Sequence, residues 1–253
     1  MAAKVIVVTG ASRGLGLAIS KQLIRSSHKV VLASQTESPL KELKEQHPSQ
    51  VAYLAADLTC SEAASQLAEL AVKTFGRIDG LVINHGTLSP LARLENANID
   101  EWKKAFDINL FSGVALVKAT IPELRKSHGR VIFVSSGAAL KGYTAWGAYG
   151  GTKAAMNSLC QHLAVEEPDV ASVAVGPGRV DTDMQKVIRD SGKGIMADKD
   201  YAGFKEAFDE GHLNRPEEPG RVIATLAAEA KLDLSGKYVN WNSEELASYR
   251  DKA

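Results

Sequence analysis

Short strand-like runs alternate with helix-forming stretches along almost the whole chain, and this alternation restricts the fold more than any other feature. Apolar runs rich in β-branched residues occur at 4–9, 30–33, 51–56, 78–84, 131–134, 170–175 and 237–241. Helix-forming stretches lie between most of them, at 15–26, from about Ser61, at 99–124, at 148–166 and after Pro216. Repeated β-α units predict an α/β fold: a doubly wound parallel sheet of about seven strands, right-handed crossovers, and helices on both faces. Ligands of such sheets sit at the carboxyl edge of the strands. Gly10, Asp57, Asn84, Ser136 and Gly176 all fall there. No linker or repeat divides the 253 residues, so one domain, 1–253, is expected. The polar, glycine-containing stretch 183–215 is a candidate flexible lid.

The first unit is a strand, a glycine turn and a helix. The turn reads Gly10-Ala-Ser12-Arg13-Gly14-Leu15-Gly16. Free backbone N–H groups and the positive end of the helix dipole make such a turn an anion site, although the glycines could also serve only to tighten the turn. The second strand ends in Ser34-Gln35-Thr36, and Glu37 comes late. An acidic residue at that strand end binds a ribose diol in many NAD enzymes. Its absence, with Arg13 in the glycine turn, favours a 2′-phosphate and hence NADP(H); Arg13 could otherwise be a solvated loop residue. Asp57-Leu58 follows the third strand, where Asp57 could accept from an adenine amino group or cap the helix starting near Ser61. Asn84-His85-Gly86 follows the fourth. Gly86 lets the backbone approach a ligand, and His85 is read as a packing or hydrogen-bonding residue rather than a catalyst. Asn109 interrupts the long helix 99–124, where it either holds a water or lies on the surface.

The chemistry concentrates between Ser135-Ser136 and Lys153. Tyr149 and Lys153 are four apart on a helix beginning near Trp146, so both project from one face. A hydroxyl, a phenol and an ammonium together can protonate a carbonyl oxygen as hydride reaches its carbon. The spacing alone is weak, because Tyr201 and Lys205 repeat it. Tyr149 differs in having a strand-end serine thirteen residues upstream. Tyr143, Trp146, Met184 and Tyr201 are candidates for lining a substrate pocket, or else ordinary packing residues.

Several classes are disfavoured. Lys+Arg and Asp+Glu number 30 each, which gives no global attraction for nucleic acid or anionic membrane. The first strand starts by Lys4, leaving no room for a signal peptide, and no apolar run approaches membrane-spanning length. Cys60 and Cys160 have no metal-type spacing; two free thiols in a reducing, cytoplasmic setting are expected, with a disulfide the alternative.

On these residues the chain resembles the short-chain dehydrogenase/reductase family from about residue 4 to 241. The motifs are Thr9-Gly10 with Gly14 and Gly16, Asp57, Asn84 with Gly86, Asn109, Ser136, Tyr149 with Lys153, and Pro177-Gly178 with Thr182. The resemblance implies a Rossmann-type fold, a nicotinamide cofactor, a small carbonyl substrate, and homodimers or homotetramers paired through long helices. It implies cofactor contacts from Gly10, Ser12, Gly14, Leu15, Gly16, Asp57, Leu58, Asn84, Gly86, Tyr149, Lys153, Pro177, Gly178, Val180 and Thr182. Substrate contacts would come from Ser136, Tyr149, Trp146 and Met184, and catalysis from Ser136, Tyr149, Lys153 and Asn109. Ser136-Gly-Ala-Ala, Glu166-Glu-Pro168 and the stretch 180–185 look like benzil-reductase-like fungal members related to sepiapterin reductases. The position matching the pterin-anchoring Asp of sepiapterin reductases is Asn240, so a diketone is expected before a pterin. A non-catalytic NADP(H)-binding regulator is a further alternative. A sugar-nucleotide epimerase would need a longer chain after Thr182.

Overall fold

In the computed structural model, residues 2–250 are described. Seven parallel strands form one sheet in the order β3-β2-β1-β4-β5-β6-β7. They are β1 (Val5–Thr9), β2 (Lys29–Ser34), β3 (Val51–Ala55), β4 (Gly80–Ile83), β5 (Arg130–Val134), β6 (Ala171–Gly176) and β7 (Tyr238–Asn240). The order reverses between β1 and β4, the point where open α/β sheets bind ligands.

Alternate strand residues face opposite layers. Ile6, Val8, Val30 and Leu32 pack with α1 (Gly14–Arg25) and the later helix Glu217–Glu229, whereas Val5, Val7, Val31 and Ala33 pack on the other side with α3 (Ala63–Phe75). Burial on both faces explains why the strands read as continuous apolar runs. Small residues set the spacing on the first face, where a Cβ added to Gly220 would lie 3.1 Å from the Cβ of Ala18. Between β2 and β3 lies α2 (Ser38–Gln46), a helix the sequence reading passed over. Its apolar content is slight, with only Leu40 and Leu43 buried.

The long helix is continuous from Ile99 to Ser127 but not uniform. It comprises α4 (Ile99–Phe106), a π-helical turn Asp107–Phe111 and α5 (Ser112–Ser127). By length and apolarity it is long enough to cross a membrane, with a mean hydropathy of 1.2 in its best window, against the expectation that no apolar run approaches that length. Leu116, Val117 and Leu124 are nevertheless buried in the core on the sheet. Pro122 sits inside α5 rather than ending it.

After β5 comes α6 (Gly147–Glu166), and after β6 the stretch expected as a flexible lid folds into two helices, α7 (Asp183–Ser191) and α8 (Asp198–Asp209). Both ends of this excursion are pinned, because Val180 and Asn214 form an isolated parallel bridge. A third apolar cluster, including Trp146, Ile188, Met196 and Phe204, joins α7 and α8 to the start of α6. The final helices are α9 (Glu217–Glu229) and α10 (Ala247–Arg250).

Candidate active site

A cleft of about 970 Å³ opens along the carboxyl edge of the sheet. The residues expected to touch cofactor line it, as do Ser136, Tyr149, Trp146 and Met184 on the substrate side; Asn109 does not, lying buried behind the wall.

One end is the glycine turn. Gly10 has φ +64°, and a Cβ there would lie 2.9 Å from the Cα of His85. A Cβ on Gly16 would come within 2.1 Å of the Gly10 carbonyl oxygen. These glycines are therefore required by the turn's own packing, whatever it binds. Separately, no side chain among the described residues caps the amides of α1, and no acidic residue occupies its first turn. A helix end so arranged, opening on a cleft, fits the phosphates of a dinucleotide. Asn84 is turned to the frame, its Nδ2 donating to the carbonyls of Thr9 and Gly10 at 3.0 and 3.2 Å.

Around the middle, Ser34 Oγ donates to Thr36 O at 2.8 Å. The late acid Glu37 accepts from the Tyr53 hydroxyl at 3.0 Å, outside the cleft lining. Arg13 is largely exposed at the mouth and pairs with Asp183 on α7 at 3.0 Å. Asp57 does not cap a helix, contrary to one of the readings above: α3 begins only at Ala63, with Glu62 as its N-cap. Its Oδ1 instead accepts from the N–H and hydroxyl of Thr59, at 2.9 and 2.8 Å, and the backbone N–H is the chief reason its pKa lies below the ordinary value.

The other end holds Ser136, Tyr149 and Lys153. Ser136 follows β5 and caps a short 3₁₀ turn, its Oγ accepting from Ala138 N at 3.1 Å. Tyr149 and Lys153 lie on α6 with exposures of 7% and 3%. Lys153 Nζ donates to the carbonyl of Val134 at 2.8 Å. Burial alone lowers its pKa to about 8. The Tyr149 phenol moves the other way, to about 12, because burial outweighs the neighbouring Ser136 hydroxyl. A neighbouring ammonium such as Lys153 would by itself favour the phenolate, but in the free protein desolvation of the phenolate dominates.

Asn109 is 1% exposed, which excludes the surface placement. Its Oδ1 accepts from Thr87 N at 2.7 Å, and its Nδ2 donates to Thr87 O at 2.8 Å and Thr152 Oγ1 at 3.1 Å. Both amide donors are thus spent, so the side chain can offer a water only an acceptor. His85 is also committed, with Nδ1 2.7 Å from Thr9 Oγ1 and Nε2 2.7 Å from Ser112 Oγ. Burial, then the Lys153 charge, lower its pKa to about 4. It is a neutral hydrogen-bonding residue, as expected.

Tyr143, Trp146 and Met184 line the cleft, and Tyr201 does not. The Tyr201 hydroxyl donates to Arg189 O at 3.0 Å, and Lys205 pairs with Asp209, so the second Tyr-Lys spacing has no part in the cleft. Sequence reasoning missed Thr87 and Thr152, the partners of Asn109, and Phe204, which stacks on Trp146 at 5.2 Å. Thr152 had a signal, being adjacent to Lys153 on the same helix; Phe204 had none.

A family model described as short chain dehydrogenase matches residues 4–193. The chain belongs to the short chain dehydrogenase family. It is 43% identical over 96% of its length to an uncharacterized oxidoreductase of Schizosaccharomyces pombe, 98% of which is covered. It is 37% identical to the benzil reductase ((S)-benzoin forming) of Saccharomyces cerevisiae, over 96% of this chain and 97% of that one. A crystal structure of a short chain dehydrogenase/reductase of Saccharomyces cerevisiae superposes with a TM-score of 0.95 at 39% identity, covering 98% and 99% of the two chains. Members of the family are oxidoreductases that use NAD(H) or NADP(H), and this chain is one of them.

Proposed function

We propose that this protein is an NADPH-dependent carbonyl reductase that converts a small ketone, preferably a benzil-like vicinal diketone, to an alcohol. The observation that carries the reading is the placement of Ser136, Tyr149 and Lys153 at one end of a cleft whose other end is the uncapped glycine turn. A reduced nicotinamide, when bound, supplies the hydride. Gly14, Leu15, Gly86, Pro177, Gly178, Val180 and Thr182 are at hand along the cleft to hold it.

The chain's own groups handle the oxygen. Tyr149, protonated in the free protein up to about pH 12, is the general acid that gives its proton to the oxygen as negative charge develops there. Ser136 Oγ accepts from Ala138 N, which leaves its own hydrogen for the same oxygen. The Lys153 charge stabilises the phenolate left behind, and the Val134 carbonyl fixes that charge in place. Asn109 Oδ1 is the acceptor that can hold a water for reprotonation.

NADPH is favoured over NADH by Arg13 at the mouth and by the want of a carboxylate at the end of β2, Glu37 being held by Tyr53. The diketone substrate class is supported by the aromatic wall of Tyr143, Trp146 and Phe204 and by the likeness to a benzil reductase. The pterin alternative loses support, because Asn240 is exposed, accepts from the Tyr238 hydroxyl and lies off the cleft. The free, exposed thiol of Cys60 suits a reducing cytoplasm. Exposed Phe111 and Val114 on the long helix support a homodimer or homotetramer.

The test is NADPH oxidation, with NADH in parallel, against benzil, sepiapterin and simple aldehydes. Turnover of benzil with NADPH alone is expected. Binding of NADPH without turnover of any carbonyl would favour a regulator, and turnover of sepiapterin alone would restore the pterin reading.

A further inference from the structure

Among the described residues, four buried side-chain polar atoms have no hydrogen-bond partner: Trp146 Nε1, Gln185 Oε1, Arg189 Nη1 and Ser243 Oγ. The first three belong to residues that line the cleft. Buried polar groups are nearly always paired, and an exception in a native fold calls for an explanation. A substrate that supplies the missing partner is one.

Trp146 is the exception placed closest to the chemistry. It precedes Tyr149 by one helical turn, at the N-cap of α6, and the two rings meet edge to face with centroids 5.7 Å apart. Its indole is 6% exposed and is held by Tyr143 at 5.0 Å and by the Phe204 stack at 5.2 Å. Ile188 and Met184 extend the apolar wall. An indole N–H can only donate, and a ketone oxygen can only accept. Gln185 Oε1, itself an acceptor, cannot serve a second carbonyl. Arg189 is committed to its stack on Phe208, 3.7 Å from the ring centroid, and Phe208 is outside the cleft lining.

We propose that Trp146 Nε1 donates to a second oxygen on the carbon next to the reacting carbonyl, so that the site selects vicinal dicarbonyls over simple ketones of the same shape. One oxygen sits at Ser136 and Tyr149. The other, one bond further along the skeleton, meets the neighbouring indole. This rests on the carbonyl-reductase reading and narrows it: Trp146 becomes a specificity-determining residue, not just an aromatic surface. A ketone lacking the second oxygen leaves the indole N–H unpaired in the closed complex, a loss the dicarbonyl avoids.

The experiment compares benzil with deoxybenzoin, the same diphenyl skeleton with one carbonyl replaced by methylene. With NADPH, Trp146→Phe should reduce kcat/KM for benzil about tenfold more than for deoxybenzoin, the value of about one neutral hydrogen bond. Equal losses for the two ketones would overturn the proposal and leave Trp146 a packing residue. The larger intrinsic reactivity of the diketone cancels, because each ketone is compared with itself. A second readout needs no variant. In the wild-type protein with NADP⁺, the Trp146 indole proton should shift downfield in the NMR spectrum on adding benzil and not on adding deoxybenzoin. An unmoved signal with bound benzil would also overturn it. Absence of turnover with either ketone and with all other carbonyls would instead remove the carbonyl-reductase reading, and this inference with it.

Discussion

The Lys153 ammonium donates to the backbone carbonyl of Val134 at 2.8 Å, tying α6 to the end of β5 at the floor of the cleft. It has no carboxylate partner among the described residues, and burial lowers its pKa from 10.5 to about 8. A folded-state pKa below the unfolded value means that the charged form is a burden on the fold below pH 8. The burden is relieved between about pH 8 and 10.5, where the folded protein releases the proton and the unfolded chain keeps it.

Replacing this lysine should therefore stabilise the protein and inactivate it. Lys153→Met removes a buried charge worth about 3 kcal/mol at neutral pH and forfeits a hydrogen bond of about 1 kcal/mol. Thermal denaturation should show the variant more stable by about 2 kcal/mol at pH 7, with the gap closing as pH rises from 8 towards 10.5. A gap that does not depend on pH would remove Lys153 as the titrating group.

His85 gives a dependence of the same sign on the acid side. Its pKa lies near 4 in the fold against an ordinary 6.5, so it stays neutral while the unfolded chain takes up a proton. The stability it confers is complete above pH 6.5 and is lost as pH falls to about 4, at most about 3 kcal/mol. His85→Gln should lack that portion of the acid loss in denaturant titrations compared pH by pH. Identical slopes for the two proteins would contradict the neutral, buried histidine.

Arg13 is paired with Asp183 across the mouth of the cleft. If its guanidinium serves a 2′-phosphate, Arg13→Ala should weaken NADPH by about tenfold to a hundredfold, as for a charged hydrogen bond, and barely affect NADH. Fluorescence titration with both cofactors measures this. Equal losses would place Arg13 outside the 2′-phosphate contact.

The sheet, its strand positions and the cleft residues at the strand ends were legible because each depends on local pattern. Continuous apolar runs mark strands buried on both faces, and Gly10, Ser136 and Pro177 mark where those strands end. What was not legible depends on contacts distant in sequence. The partners of Asn109 are Thr87 and Thr152, 22 and 43 residues away. The π turn that carries Asn109 has no sequence signature. The segment expected as a flexible lid folds into α7 and α8 because Ile188, Met196 and Phe204 are buried together, although its composition is polar. The Tyr149 pKa could not be read from its lysine neighbour either, since it is set chiefly by burial, which sequence does not give.

The most direct test is turnover by Tyr149→Phe, which removes one hydroxyl and keeps the ring. NADPH affinity should stay within about threefold, while kcat for benzil falls by about 10²–10⁴, the usual contribution of a general acid. A variant that binds NADPH normally and keeps most of its turnover would show that another group protonates the substrate, and the account of this site would fail.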